Sequence, residues 1–261
     1  IFLICNIGLL NIYVCFVKFK NNKKMKKSIL FMLALTLCFN AYSQEGWISY
    51  HKVNKGEMQS AKDAIAKKTK KYNGSKDGEL IYTFQVEAGE RAQQLIRFGV
   101  GPTMASLDGY DSEGYKYWMD NVSPLINNDS GTEYISFNEK ASFDNVTRGT
   151  NRVSKVLHYN VKRDKGAHFW KFRNNVAKAA AESNQEMSLS VWTTTIGGAS
   201  GHVLVFYSHT DYSGFDGEQE SWPKVIEAYN KLFGANSFET DQALFNESLE
   251  MWGNYSEIWR W

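Results

Sequence analysis

The residues able to do chemistry are few, and their spacing narrows them further. Five histidines, His51, His158, His168, His202 and His209, occur without an H-x-H, H-E-x-x-H or Cys/His pattern, so ligand spacing gives no metal site. The three cysteines, Cys5, Cys15 and Cys38, fall within the first 43 residues, and no G-x-S-x-G run supplies a serine nucleophile. Gly197 to Gly201 lacks the Lys-Ser/Thr of a phosphate loop and reads as a hairpin turn. The acidic runs 108–113 and 211–220 miss the calcium-loop pattern and read as turns and helix N-termini.

Strand patterning leaves one constellation. Neighbouring strand residues point to opposite faces. Along 95–101 and 203–209 one face carries Arg97, Gly99, Gly101, Val205, Tyr207 and His209. The other carries Ile96, Phe98, Val100, Leu204, Phe206 and Ser208. Arg97 suits a carboxylate and His209 suits a base near neutral pH, so Arg97, Tyr207 and His209 are the candidate catalytic group. Tyr50, His158, Thr83, Gln85 and Thr193 are expected to line the ligand space. The opposing reading pairs Arg97 with a surface acid and makes the aromatics plain core. Trp222, Trp252, Trp259 and Trp261 are expected to be packing residues, not sugar-stacking ones.

The elements that must position these residues recur at one offset. Trp47 to Val53 matches Lys155 to Val161, Leu80 to Gly89 matches Ser188 to Gly197, and Leu95 to Gly109 matches Val203 to Gly217, each displaced by 108. Three segments sharing one offset indicate an internal repeat. Under it His158 aligns with Tyr50 and His51 with Tyr159, so His51 and His158 face opposite ways and only one can be internal. Helical stripes follow each first strand: Met58, Ala61, Ile65 and Tyr72, then Phe169, Phe172, Val176 and Ala179. Later helices are expected at Tyr115 to Val122, Pro223 to Phe233 and Ser237 to Tyr255, with Ser237 as N-cap. Closing strands are expected at Tyr134 to Phe137 and Glu257 to Trp261. Each half reads β-α-β-β-α-β, the ferredoxin-like order.

The first 43 residues read separately. Met25-Lys26-Lys27, an apolar run to Phe39, and Ala41-x-Ser43 form the n-region, h-region and cleavage site of a signal peptide. Cleavage is expected before Gln44. Residues 1–24 read as upstream read-through in preference to a membrane anchor. The whole chain has 261 residues and a net charge of +2. Residues 1–43 hold six Lys and no acid, so 24 basic and 28 acidic residues remain after cleavage, a net charge of −4 and no Cys. That balance argues against a nucleic-acid partner.

The repeat resembles the dimeric α/β-barrel superfamily, with NIPSNAP-like, EthD-like and antibiotic-monooxygenase-like members. The resemblance rests on Val53 to Gly56 and Val161 to Gly166 after the first strands, on the glycine in the turn between the second and third strands of each half, and on a third strand that runs into a helix. It implies an α+β chain in which residues 44–150 and 151–261 are two fused ferredoxin-like repeats, joined as an intramolecular α/β-barrel pseudo-dimer. It also implies a ligand-sized space between the sheets. The resulting expectation is a periplasmic or extracellular protein, monomer or homodimer, that binds or transforms a small, partly apolar molecule in that lumen. Whether it is an enzyme stays open. No cofactor or metal is expected, and no stable membrane anchor after cleavage. The alternatives are a non-catalytic scaffold, recognisable by a lumen packed with Phe84, Trp192, Phe98 and Phe206, and a haem protein with His158 or His209 as axial ligand.

Overall fold

The computed structural model describes residues 44–73, 80–107, 111–127, 131–146 and 151–261, with residues 6–7 and 10–11 besides. Residues 6–7 and 10–11 pair antiparallel within a separate unit, 1–42. The remainder of the expected read-through, the signal peptide and all three Cys lie outside the described residues.

Eight strands carry the main unit: β1 Glu45–Val53, β2 Leu80–Ala88, β3 Gln94–Gly101, β4 Thr132–Phe137, β5 Val153–Asn160, β6 Ser188–Ile196, β7 His202–His209 and β8 Tyr255–Arg260. Five helices lie between them: α1 Met58–Tyr72, α2 Ser112–Asn121, α3 Gly166–Ser183, α4 Ser213–Phe233 and α5 Ser237–Glu247. The strands close into a ring in the order β1, β3, β2, β8, β5, β7, β6, β4 and back to β1. Every pairing is antiparallel. The result is a closed eight-stranded barrel, which leaves the ring without a free edge. The short strands 126–127 and 143–144 pair with β1 and β6 outside the ring.

Alternation assigns each residue to the barrel interior or to the helices. The interior receives Ile48 and Tyr50 from β1, Ile96 and Phe98 from β3, Leu204 and Phe206 from β7, Trp192 from β6 and Trp259 from β8. Their rings touch in sequence: Trp192 to Phe98 at 5.1 Å, Phe98 to Phe206 at 5.9 Å, Phe206 to Trp259 at 5.3 Å, Trp259 to Phe84 at 5.9 Å. An eight-stranded barrel is just wide enough for side chains to fill, and here aromatic rings fill it. The expected lumen is therefore a packed core, which is the arrangement by which the scaffold alternative is recognised and which leaves no expected ligand space between the sheets.

The outer face is covered by helices. Phe169, Phe172, Val176 and Ala179 of α3 pack with Val225 and Tyr229 of α4 and Phe238 and Phe245 of α5 against Leu189, Val191, Val203 and Val205. A smaller cluster under α1 and α2 holds Ala61, Ile65, Leu95, Val122 and Ile126. Fully burying each such aliphatic or aromatic side chain contributes about 1.5–3 kcal/mol.

Several expected boundaries move. α4 begins at Ser213, ten residues before Pro223, and runs through that proline. Pro223 reads as a helix start because it has no N–H to donate, yet Phe215 and Trp222 already hold the earlier turns against His209 and Tyr207. α5 stops at Glu247, and the chain re-enters the barrel at Tyr255, where a helix was expected to end. Asn236, not Ser237, occupies the N-cap, in left-handed conformation. Asn230 of the preceding helix takes over the capping bond, accepting from Phe238 N at 2.9 Å. Trp259 is fully buried, whereas Trp252 and Trp261 are 79% and 55% exposed and so are not core. Gly89 and Gly197, matched by the offset, both take positive φ, 111° and 85°. A Cβ at Gly197 would lie 2.4 Å from Thr132 O, and one at Gly89 2.7 Å from Ser256 O. Glycine is required there for both conformation and close approach.

Candidate functional site

Two polar constellations stand out, one inside the barrel and one outside it. The inner one runs across four strands. Glu133 of β4 lies 3.1 Å from His202 Nδ1 on β7, His202 Nε2 lies 3.1 Å from His158 Nδ1 on β5, and His158 Nε2 lies 3.3 Å from Glu257 on β8. Glu257 also accepts from Trp259 Nε1 at 2.8 Å and from the Arg91 backbone N–H at 3.1 Å. Thr194 donates to Glu133 at 3.1 Å. Tyr255 stacks on the His158 ring at 4.3 Å, and the Arg91 guanidinium sits 4.0 Å over the Tyr50 ring. Glu133 stands opposite Ile48 and Glu257 opposite Val156. Ile48 and Val156 are 108 apart, so the two carboxylates hold corresponding places.

Charge in this chain is settled by the partners. Burial opposes ionisation of Glu257, but the His158 and Trp259 hydrogen bonds outweigh it and hold its pKa below the ordinary value. The His202 hydrogen bond does the same for Glu133 against partial burial. Burial pushes His158 below its usual value, with Glu257 opposing. All three shifts mean that the folded protein binds fewer protons than the unfolded chain as pH falls. Stability is then fully present above the unfolded histidine value of about 6.5. It is expected to decline below that as the unfolded chain takes up a proton that His158 resists, and to decline further through the carboxylate range. Each group contributes a slope of at most about 1.4 kcal/mol per pH unit. Denaturant titrations from pH 8 to pH 4 check this; stability flat to pH 5 would contradict the His158 part.

The outer constellation is a cleft of about 470 Å³ between α3, α4 and α5 and the outer faces of β5 and β7. Its walls include Leu157, Tyr159, Phe172, Tyr207, Trp222 and Phe245, and its polar lining includes Arg173, Gln219 and Gln242. Arg173 lies in the apolar stripe of α3, one residue past Phe172, and is 3% exposed. Its Nη1 donates to Tyr207 Oη at 3.2 Å. Its Nε and Nη2 have no partner among the described residues. Burial first, then Tyr207, pushes the Tyr159 phenol up to about 12, while the charge of Arg173 pulls it down. At the rim Glu218 is held by Lys155 and by His209 Nε2, the latter at 3.3 Å. A second cleft of about 410 Å³ shares Tyr207 and Glu218 and adds His209.

The expected catalytic group is divided between these surroundings. Arg97 is on the outer face of β3 in the first half, with its guanidinium 4.9 Å from the Trp118 ring and 5.9 Å from Trp47. Tyr207 and His209 are on the outer face of β7 in the second half, and only these two share a cleft. None of the three lines the lumen. The enclosed interior takes the bulky apolar face of each strand, and the mixed face is left for the helices. Of the expected lining residues, Tyr50 and His158 are internal. Thr83 and Gln85 are external: Gln85 accepts from Lys62 of α1 at 3.1 Å, and Thr83 pairs in register with Arg97. Thr193 is external too, pairing with Val203 beside a third cleft. His51 faces outward against Trp118 at 5.4 Å, so one of the two first-strand histidines is internal, as alternation requires.

The two axial candidates sit in different surroundings. His158 Nδ1 is bonded to His202, its Nε2 faces Glu257 at 3.3 Å without forming a well-aligned hydrogen bond, and its ring lies stacked against Tyr255 and His202. His209 holds Glu218 through Nε2, and the start of α4 at Gly214 presses on its Nδ1 side. Among the described residues there is no group of three or more His, Cys, Asp or Glu that could hold a metal ion. No described helix is long and apolar enough to cross a membrane.

Three residues that matter went unassigned by sequence reasoning. Glu133 and Glu257 sit at the edges of the closing strands, on the side shared with Ile135 and Trp259. Arg173 had a readable signal: it is i+4 from Phe169 and i−3 from Val176, so it belongs to the buried stripe of α3.

No protein-family model matches the chain, and no curated protein matches it in sequence. Solved structures do match. A provisionally assigned monooxygenase of Fusobacterium nucleatum subsp. nucleatum matches with a TM-score of 0.58 at 11% identity, over 84% of this chain and 93% of its own. One of Lactobacillus acidophilus matches at 0.52 and 10% identity, over 83% and 94%. Chlorite dismutase of Candidatus Nitrospira defluvii matches at 0.49 and 9% identity, over 87% and 94%. The first two likenesses establish that this chain shares the ferredoxin-like α/β-barrel fold of those proteins.

Proposed function

We propose that this chain binds a small, partly apolar molecule in the cleft between α3, α4, α5 and the outer faces of β5 and β7. One observation carries the reading: the cleft is about 470 Å³ and walled by Leu157, Tyr159, Phe172, Trp222 and Phe245, whereas the lumen is filled by rings. Small-molecule sites are commonly about 300–1,000 Å³, apolar, with few polar groups. Ligand-observed NMR with a set of bicyclic aromatic compounds, neutral and charged, tests it. Binders are expected, and Leu157→Trp, which fills the cleft, is expected to abolish their binding while leaving the fold intact. Binding unchanged in Leu157→Trp would overturn the assignment to this cleft.

We further infer that the barrel is two fused ferredoxin-like repeats. The strand orders β4-β1-β3-β2 and β8-β5-β7-β6 correspond term by term, and the Gly89/Gly197 and Glu133/Glu257 correspondences support the same division. Export to the periplasm or medium rests on the leader pattern of residues 25–43. N-terminal sequencing of the protein from its source is expected to begin at Gln44; a retained residue 1–43 segment would contradict it.

A further inference from the structure

We propose that the ligand of this cleft is an organic anion, a carboxylate carried on an aromatic or apolar body, and that Arg173 is the residue that selects it. The inference rests on the cleft reading above and names the chemistry of its ligand. Arg173 is 3% exposed, yet two of its three guanidinium nitrogens, Nε and Nη2, have no partner among the described residues. An uncompensated buried cation is strongly unfavourable, so its place calls for an explanation.

The geometry supplies one. The hydrogen bond from Nη1 to Tyr207 fixes the plane of the guanidinium at 3.2 Å. The Nε and Nη2 hydrogens then lie along the remaining edge, which is the edge that pairs side by side with the two oxygens of a carboxylate. Two carboxylates of the packed helices are already committed elsewhere. Glu218 of α4 is held by Lys155 and His209. Asp241 of α5 accepts from Lys171 at 2.7 Å and from Tyr229 at 2.8 Å. Lys155, the other cation of the lining, is tied to Glu218, so among the described residues Arg173 is left as the cation of this cleft without a carboxylate partner, beside walls that include Leu157, Phe172, Trp222 and Phe245. Nε and Nη2 are themselves buried, so a flat apolar body against those walls brings its acid group onto them once a neighbouring side chain shifts aside. Gln219 and Gln242 offer amides for a further polar substituent.

Isothermal titration of the protein with 1-naphthoate and with its neutral match 1-naphthamide separates the possibilities. The carboxylate is expected to bind roughly ten- to hundred-fold more tightly, the range given by charge-assisted hydrogen bonds. In Arg173→Met that preference is expected to vanish, and the ligand-free protein is expected to melt at a higher temperature because a buried unpaired cation has gone. Arg173→Lys, which keeps the charge but not the paired donors, is expected to keep only part of the preference. Equal binding of the two compounds to the unaltered protein would overturn the anion inference and leave the cleft reading standing. A preference kept in Arg173→Met would also overturn it. No binding of either compound would overturn both.

Discussion

Glu257→Ala is expected to destabilise the fold by about 3–5 kcal/mol, the cost of removing one partner from a buried ionic network. The carboxylate is 1% exposed, is the common acceptor for Trp259 Nε1 and the Arg91 backbone N–H and side chain, and faces His158 Nε2 at 3.3 Å. Alanine leaves these donors buried without it. It also frees Arg91 from the turn between β2 and β3, near the seam where β2 meets β8. Glu257→Gln should lose less, because an amide oxygen still accepts one of these bonds. Chemical denaturation of the three proteins at pH 7 measures the difference. A loss below about 1 kcal/mol for alanine, the size of an ordinary surface pair, would show that the chain of carboxylates and imidazoles does not support the barrel.

Trp192→Ala is expected to cost about 3–5 kcal/mol for a different reason, a cavity left in a close-packed core. Trp192 contacts Phe98 and Phe137, each at 5.1 Å, and is 6% exposed. Gly46 passes close beneath it: a methyl group at that position would lie 3.5 Å from the ring and 2.6 Å from Gly99 O. The backbone is therefore already tightly set there and cannot easily move in to fill the space. Thermal unfolding checks the effect. A change of less than about 1 kcal/mol would be the behaviour of a side chain lining a ligand space, not of a core residue.

The strands and the order of elements in each half were legible from residue types because period-two patterning and a constant offset reinforced each other. The inward and outward sets were also legible: Ile96, Phe98, Leu204 and Phe206 separated cleanly from Arg97, Tyr207 and His209. What patterning could not decide was which set faces inward. A sheet with helices on one side and a barrel interior on the other buries both faces, so polarity alone is a poor guide. Enclosure decides it, since only the barrel interior excludes water on all sides and favours the larger rings. The Glu133–His202–His158–Glu257 chain was hidden for another reason. Its members come from four strands, and their adjacency depends on ring closure, which no local spacing records. Arg173 was within reach of periodicity alone, being a cation in a stripe of Phe169, Phe172 and Val176.

The most direct measurement of where the ligand sits uses the tryptophans as reporters. Trp222 lines the outer cleft, and Trp192 and Trp259 lie in the barrel interior. Protein labelled with 5-fluorotryptophan, with resonances assigned by single Trp→Phe replacements, can be titrated with 1-naphthoate and followed by fluorine NMR. The expected result is a saturable shift at Trp222 with Trp192 and Trp259 unmoved. Shifts at Trp192 and Trp259 with Trp222 unmoved would contradict the outer cleft and return the ligand to the lumen.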